Sequence, residues 1–253
     1  MFRIATVALV ALFSLSGPQT QSDEVAALKR ELEKMRAQQD ALKADVEAIK
    51  SLLEALTGRP LGASIVNASL AIAGEPSKGS KTAKVTMVEV SDYHCPYCRR
   101  HMQQTQPQLD AEYIATGKLQ YVFVDYPIEQ LHPEAYKAHE AANCAGDQGK
   151  YWEMHNQLFA APTREIAELE KQAGKLGLDA ATFKACLEGG KYAKPVRESV
   201  ARMQELGVDS TPTFLIGLTP SGNQPFKVIR VVRGAMPFAQ FKSVIDDVAA
   251  RTQ

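Results

Sequence analysis

The chain has no surplus of either charge: lysine plus arginine number 29, and so do aspartate plus glutamate. A balanced chain has no long-range field to gather nucleic acid or an anionic membrane surface, so no nucleic-acid partner is expected. A glycine-rich phosphate loop and a Gly-x-Ser-x-Gly elbow are also missing, which removes two common routes to nucleotide binding and serine hydrolysis. Apolar residues are not scarce. They make up 45% of 253 residues, enough to bury a sizeable core in one large domain or in a domain with an appendage.

Long apolar runs are missing too. The longest, Ile4 to Leu15, is interrupted by Thr6 and Ser14. It falls short of the roughly 20 residues that span a bilayer. Arg3 before it, and small Ser14 and Ser16 ahead of Gly17-Pro18 after it, give residues 1–20 the pattern of a cleaved signal peptide. No cysteine follows to carry a lipid. The expected location is therefore periplasmic or otherwise extracytoplasmic, where disulfides persist.

A regular pattern follows. Val25, Leu28, Leu32, Met35, Gln39, Leu42, Val46, Ile49, Leu53 and Leu56 alternate steps of three and four, the a and d positions of a heptad repeat. With Val25 at a, a parallel assembly sets Glu24 against Lys29, Glu31 against Arg36 and Asp45 against Lys50, all attractive pairs. A helix packed on its own domain shows a wider apolar stripe. Residues 23–57 thus read as a coiled-coil oligomerisation stalk about 50 Å long. The seam leaves dimer and trimer open, and polar Gln39 is suited to setting register. Gly58, Pro60 and Gly62 end the helix, and a second domain is expected over residues 64–253.

Only four cysteines occur, and two of them sit in "SDYHCPYCRR". The preceding run Val85 to Val90 reads as a buried strand, Glu75 to Lys81 before it as a polar turn, and Pro96 suits the first turn of a helix. Helical character continues to Gly117 with a kink at Pro107, and Lys118 to Tyr126 alternates as a second strand. This β-α-β unit sets the thiols at a helix N-terminus, where free backbone N–H groups favour a thiolate on Cys95. Cys98, one turn on, becomes the thiol that resolves a mixed disulfide. A zinc site wants a second ligand pair; Cys144 and Cys186 are isolated, and His94 and His101 flank the motif without one, so no metal site is expected.

These residues resemble a known family. "VEVSDYHCPYCRRH", "VDYPIEQLHPEAYKAHEAANCAGDQGKYWEMHNQLF" and "GVDSTPTFLIG" are similar to the DsbA-type thiol:disulfide oxidoreductases of bacterial envelopes, over about residues 64–250. The resemblance implies an α/β thioredoxin-like fold with an all-helical subdomain inserted over about 131–206. It implies a nucleophilic Cys95, a buried Cys98, and Glu89 as a buried acid that assists proton transfer. Thr211 and Pro212 match the family's cis-proline loop, which presents backbone to the bound peptide, with Pro96 and Tyr97 beside it. Pro96-Tyr97 stands where an oxidase of the family has Pro-His. Tyr97 cannot lend positive charge to the thiolate, so a smaller depression of the Cys95 thiol is expected, with His94 as a cation that could compensate.

In an oxidising compartment Cys144 and Cys186 are expected to pair as a structural disulfide; reduced core cysteines are the alternative. His132, His139 and His155 lie on expected helices without a nucleophile pattern, and Trp152 and Phe159 read as subdomain core. Phe226 to Val232 and a helix over 237–250 would close the sheet. The implied activity is disulfide exchange with unfolded or misfolded client proteins, reset by a membrane redox partner and using no cofactor. Parallel assembly tilts the reading toward isomerase or reductase. A dithiol oxidase, or a copper-binding or client-holding module without turnover, are the alternatives.

Overall fold

The computed structural model describes residues 18–57, 65–162, 165–222 and 224–251; residues 1–17 of the expected leader lie outside that set. Two units divide the chain, Met1–Leu61 and Gly62–Gln253. In the first, α1 spans Pro18–Thr57 without a break, beginning inside the stretch expected to end the leader. Leu28, Leu32, Met35, Leu42, Val46 and Ile49 are all exposed on it, so the described apolar positions of the heptad repeat are unburied.

In the second unit a five-stranded sheet has the order β2 (Ser77–Gly79), β4 (Leu119–Asp125), β3 (Val85–Ser91), β5 (Thr213–Leu218) and β7 (Arg230–Arg233). The central pair β3 and β4 is parallel, with Val88 opposite Val122 and Glu89 opposite Phe123; the other pairings are antiparallel. Parallel pairing demands a crossover, which α2 (Pro96–Gln104), α3 (Gln106–Leu109) and a π-type turn over Asp110–Ile114 supply. Pro107 has no N–H to offer the preceding turn and crowds the carbonyl four residues back, so the helix breaks at Thr105.

Both faces of β3 are covered, which explains its almost continuous apolar run. Met87, Tyr121, Phe123, Phe214 and Ile216 pack with Leu109, Phe241 and Ile245 on one face, the last two from α9 (Phe238–Ala249). Val88, Val90, Val122, Val124 and Leu215 pack with Val200 and Met203 of α8 (Ala193–Glu205) on the other. Strand side chains alternate with period two, so Glu89 shares the face of Met87 and lies under α2. Each buried Phe or Met contributes roughly 1.5–3 kcal/mol relative to exposure, so the sheet is pinned in this register from both sides.

Between β4 and β5 stand α4 (Ala135–Gly146), α5 (Tyr151–Ala160), α6 (Ile166–Lys175), α7 (Ala180–Glu188) and α8, an all-helical insertion. Cys144 on α4 and Cys186 on α7 are joined by a disulfide with Cα atoms 5.9 Å apart.

Two sequence expectations need correction. The Glu75 to Lys81 turn contains the edge strand β2, which pairs on one side only, with β4. Such a strand needs no apolar alternation, so Ser-Lys-Gly gave no strand signal. The single closing strand over Phe226 to Val232 is two: β6 (Phe226–Lys227) pairs with β1 (Ser69–Leu70) in a separate ribbon, and β7 joins the main sheet. The switch falls between Val228, whose N–H donates to the Ala68 carbonyl, and Ile229, whose N–H donates to that of Ile216.

Candidate active site around Cys95 and Cys98

β3 ends at Ser91 and the chain turns through Asp92 to Cys95 before α2 begins at Pro96. Asp92 shapes this turn. Its backbone carbonyl accepts the Cys95 N–H at 3.1 Å, and its buried carboxylate accepts the N–H of His94 at 2.8 Å, that of Ile128 at 3.0 Å and Nδ1 of His132 at 2.8 Å. Cys95 is then the residue that caps α2, with extended backbone and Pro96 in the first turn.

The two thiols differ in kind. Cys95 is lowered to about 6, first by the hydrogen bond from the Cys98 thiol, against the opposing effect of burial, then by Thr211 and by the backbone N–H groups of Cys98 and Tyr97. Cys98, fully enclosed, is pushed well above the ordinary thiol value, first by burial, then by its link to Cys95 and by the negative field of Glu89. One sulfur is thus set up as an anion near neutrality and its neighbour as the proton holder. Tyr97, between them, is exposed, and Arg100 lies over its ring at 5.1 Å.

Beneath the thiols Glu89 is fully buried. The Tyr121 hydroxyl donates a short hydrogen bond to its Oε2, and Nε2 of His101 lies 3.7 Å from the same oxygen. Above them, the Thr211–Pro212 peptide bond is cis, and the Thr211 carbonyl lies 3.5 Å from Cys95 Sγ. The Pro212 carbonyl accepts the Gly234 N–H at 2.8 Å, which ties this loop to the end of β7. A cleft of about 450 Å³ opens beside α2, lined by Arg100, Gln104, Thr105, Gln108, Met236 and Phe238.

The structure therefore brings Cys95, Cys98, Glu89, Thr211, Pro212, Pro96 and Tyr97 to one place, while Cys144 and Cys186 lie in the helical insertion. His94 faces His132, with ring centroids 6.5 Å apart. Among the described residues no three histidine, cysteine or carboxylate side chains are arranged to hold a metal ion. Sequence reasoning missed Asp92, Tyr121 and His101. His101 carried a signal, since three residues beyond Cys98 on a helix means the same face. Tyr121 shares the parity of Phe123 on its strand, but nothing local indicates that its hydroxyl meets Glu89.

Comparison with known proteins agrees with this geometry. The thioredoxin family model matches residues 73–247, and the chain belongs to the thioredoxin family. Within that class its fold is the DsbA-like one: the crystal structure of Wolbachia pipientis alpha-DsbA1 superposes with a TM-score of 0.61 at 23% identity, covering 71% of this chain and 93% of that one. The probable disulfide bond formation protein D of Bacillus anthracis is 26% identical over 158 residues, 59% of this chain and 73% of that protein. A Na(+)/H(+) antiporter NhaA 1 of Salinispora arenicola is 36% identical over 140 residues, 55% of this chain. The chain spans only 21% of that antiporter's length, so the likeness is to one segment of it. No described helix here is long and apolar enough to cross a membrane.

Proposed function

We propose that the protein is an extracytoplasmic thiol:disulfide oxidoreductase acting on client proteins through Cys95 and Cys98. The observation that carries this reading is the split between the two thiols, Cys95 lowered to about 6 and Cys98 raised. In one direction the Cys95 thiolate attacks a client disulfide. A Cys95–client S–S bond forms, the client's own S–S bond breaks, and one client sulfur leaves as thiolate and takes a proton from solvent. Cys98 then gives its proton to Glu89 and attacks Cys95 Sγ. The Cys95–Cys98 bond forms, the Cys95–client bond breaks, and the client's second sulfur leaves reduced. The reverse sequence donates a disulfide. The Thr211–Pro212 loop supplies backbone next to Cys95, with Pro96 and Tyr97 following it at the start of α2. Cys144 and Cys186 take the structural role.

Direction is read from assembly. The exposed apolar strip of α1 supports a parallel homo-oligomer, dimer or trimer, through residues 23–57. Several sites around a shared client favour shuffling of wrong disulfides, so isomerase or reductase is the preferred direction, with a membrane redox partner keeping the pair reduced. One observation favours the opposite: a stabilised Cys95 thiolate stabilises the reduced protein, and a dithiol of that kind is oxidising.

Two measurements test the proposal. Alkylation of reduced protein should follow a titration with a midpoint near 6, lost in Cys95→Ser along with all exchange activity; a midpoint near the ordinary ~8.5 overturns the exchange reading. Refolding of scrambled against fully reduced ribonuclease, with and without residues 23–57, tests direction. Scrambled-substrate activity should fall on deletion, and activity unchanged by deletion argues for the oxidase.

A further inference from the structure

Glu89 poses a problem of access. It is fully buried on β3, and its Oε1 has no hydrogen-bond partner among the described residues. A buried carboxylate can take a proton from Cys98 only if it is held as an anion, and an anion without water needs donors aimed at it. Tyr121 provides one, its hydroxyl donating to Oε2.

His101 stands on the other side of the same oxygen. Its ring is fully buried on α2, between Phe214 at 4.4 Å and Phe241 at 5.2 Å between centroids. The tautomer follows from the neighbours. Gln106 Nε2 donates to Asp110 Oδ1 at 3.0 Å, which turns Gln106 Oε1 toward His101 Nε2 at 3.1 Å. Oε1 can only accept, so His101 carries its proton on Nε2, and Nδ1 is left buried without a partner among the described residues. That Nε2–H is donated to Gln106 Oε1, and Nε2 also faces Glu89 Oε2 from 3.7 Å, beyond hydrogen-bond range, so it acts on the carboxylate as a dipole. Asp110, half exposed, meets Lys78 at 2.7 Å, so the polar chain from Glu89 through His101 and Gln106 ends in a solvated ion pair.

We infer that His101 is a positioning residue for disulfide exchange: its Nε2–H, oriented by Gln106 and Asp110, holds Glu89 in the carboxylate form that receives the Cys98 proton. The inference rests on the exchange reading and adds to it a residue that never touches the reacting sulfurs. The groups facing the pair come from several elements: Cys98 on the same helix, Tyr121 from β4, Asp110 from the turn after α3 and Lys78 from β2. Burial keeps the imidazole below its ordinary value, and the nearby Lys78 works in the same direction against the pull of Glu89 and Asp110. A neutral ring is what the proposed donor role requires. In the resolving step the proton passes from Cys98 Sγ to Glu89, the Cys95–Cys98 bond forms, and the bond from Cys95 to the client sulfur breaks. His101 neither gains nor loses a proton.

Two substitutions separate a donor from a space filler. Phenylalanine in His101→Phe keeps a ring between Phe214 and Phe241 and removes the N–H; glutamine in His101→Gln breaks the ring packing and restores an amide N–H near the Nε2 position. The readout is release of glutathione from a preformed Cys95–glutathione mixed disulfide in the full chain, followed against pH. For His101→Phe the pH midpoint of release should move up by about half a unit, making release roughly threefold slower on the acid side, as loss of an N–H dipole that faces the anion from beyond hydrogen-bond range implies. His101→Gln should recover most of the wild-type profile. If Phe matches wild type, or if Gln is as slow as Phe, the inference is overturned. Alkylation of Cys95 in the same variants keeps the two claims apart. A midpoint near 6 with an unmoved release profile sinks the role of His101 alone, and an ordinary midpoint in the wild type sinks the exchange reading beneath it.

Discussion

The backbone N–H of Tyr93 points at Nε2 of His139 from 3.4 Å, so the segment that leads into the thiol motif is tied to the first helix of the insertion. The same imidazole meets Asp125 Oδ1 through Nδ1, and Asn143 donates to Asp125 Oδ2 at 2.8 Å. The end of β4, the start of α4 and the approach to Cys95 are thereby one buried polar unit. Such a unit positions groups through full satisfaction of its donors and acceptors, and breaking any member leaves a buried partner exposed to an apolar surround.

Asp92 is the most heavily used member of the turn. Alanine in Asp92→Ala leaves the N–H groups of His94 and Ile128 and the ring of His132 without their acceptor. The expected loss is about 1–3 kcal/mol in urea unfolding, since the orphaned donors are only partly buried and water can reach some of them. A loss under about 1 kcal/mol would mean that water replaces the carboxylate and that the turn holds itself.

The Cys95 thiol couples stability to pH in the reduced protein. Its folded value is depressed to about 6 from an unfolded value of ~8.5, so the stabilisation is complete above ~8.5 and disappears as pH falls through about 6. The denaturant midpoint of reduced wild type, less that of reduced Cys95→Ser, should therefore grow between pH 6 and 8. A flat difference would show that the thiolate has no special stabilisation in the folded state.

Gly217 in β5 is there for space. A Cβ at this position would run into the backbone carbonyl oxygen of Lys227 and approach the Phe226 ring to 3.0 Å, and neither neighbour is a flexible chain end. Gly217→Ala should cost about 1–3 kcal/mol in thermal or chemical unfolding. Gly174 in α6 is the control, with nothing within 4 Å of its added Cβ, and Gly174→Ala should stabilise by up to ~1 kcal/mol. Equal effects from the two would remove the steric argument.

The disulfide between Cys144 and Cys186 spans a sequence separation of 42 and links α4 to α7. Replacing both with alanine should cost about 2–4 kcal/mol against the oxidised protein, while the alkylation midpoint of Cys95 stays put. A shift of that midpoint would make the insertion part of the redox site.

The sequence alone determined a good deal of this. A short apolar run at Val85 to Val90 and period-two alternation in Lys118 to Tyr126, with a proline-started helix between them, set the β-α-β unit and placed Cys95 at a helix N-terminus, because these patterns are local and each is decided within a few residues. The edge strand β2 and the split of the closing strand into β6 and β7 were not legible, since both depend on which backbone lies alongside and not on the side chains they carry. The same holds inside the site. The thiols announce themselves by spacing, but the short bond from Tyr121 to Glu89, the direction of the His101 N–H and the acceptor work of Asp92 arise where strands, helices and turns far apart in sequence converge. Burial is what makes those contacts matter, because it removes the water that would otherwise satisfy each polar atom, and burial belongs to the tertiary structure.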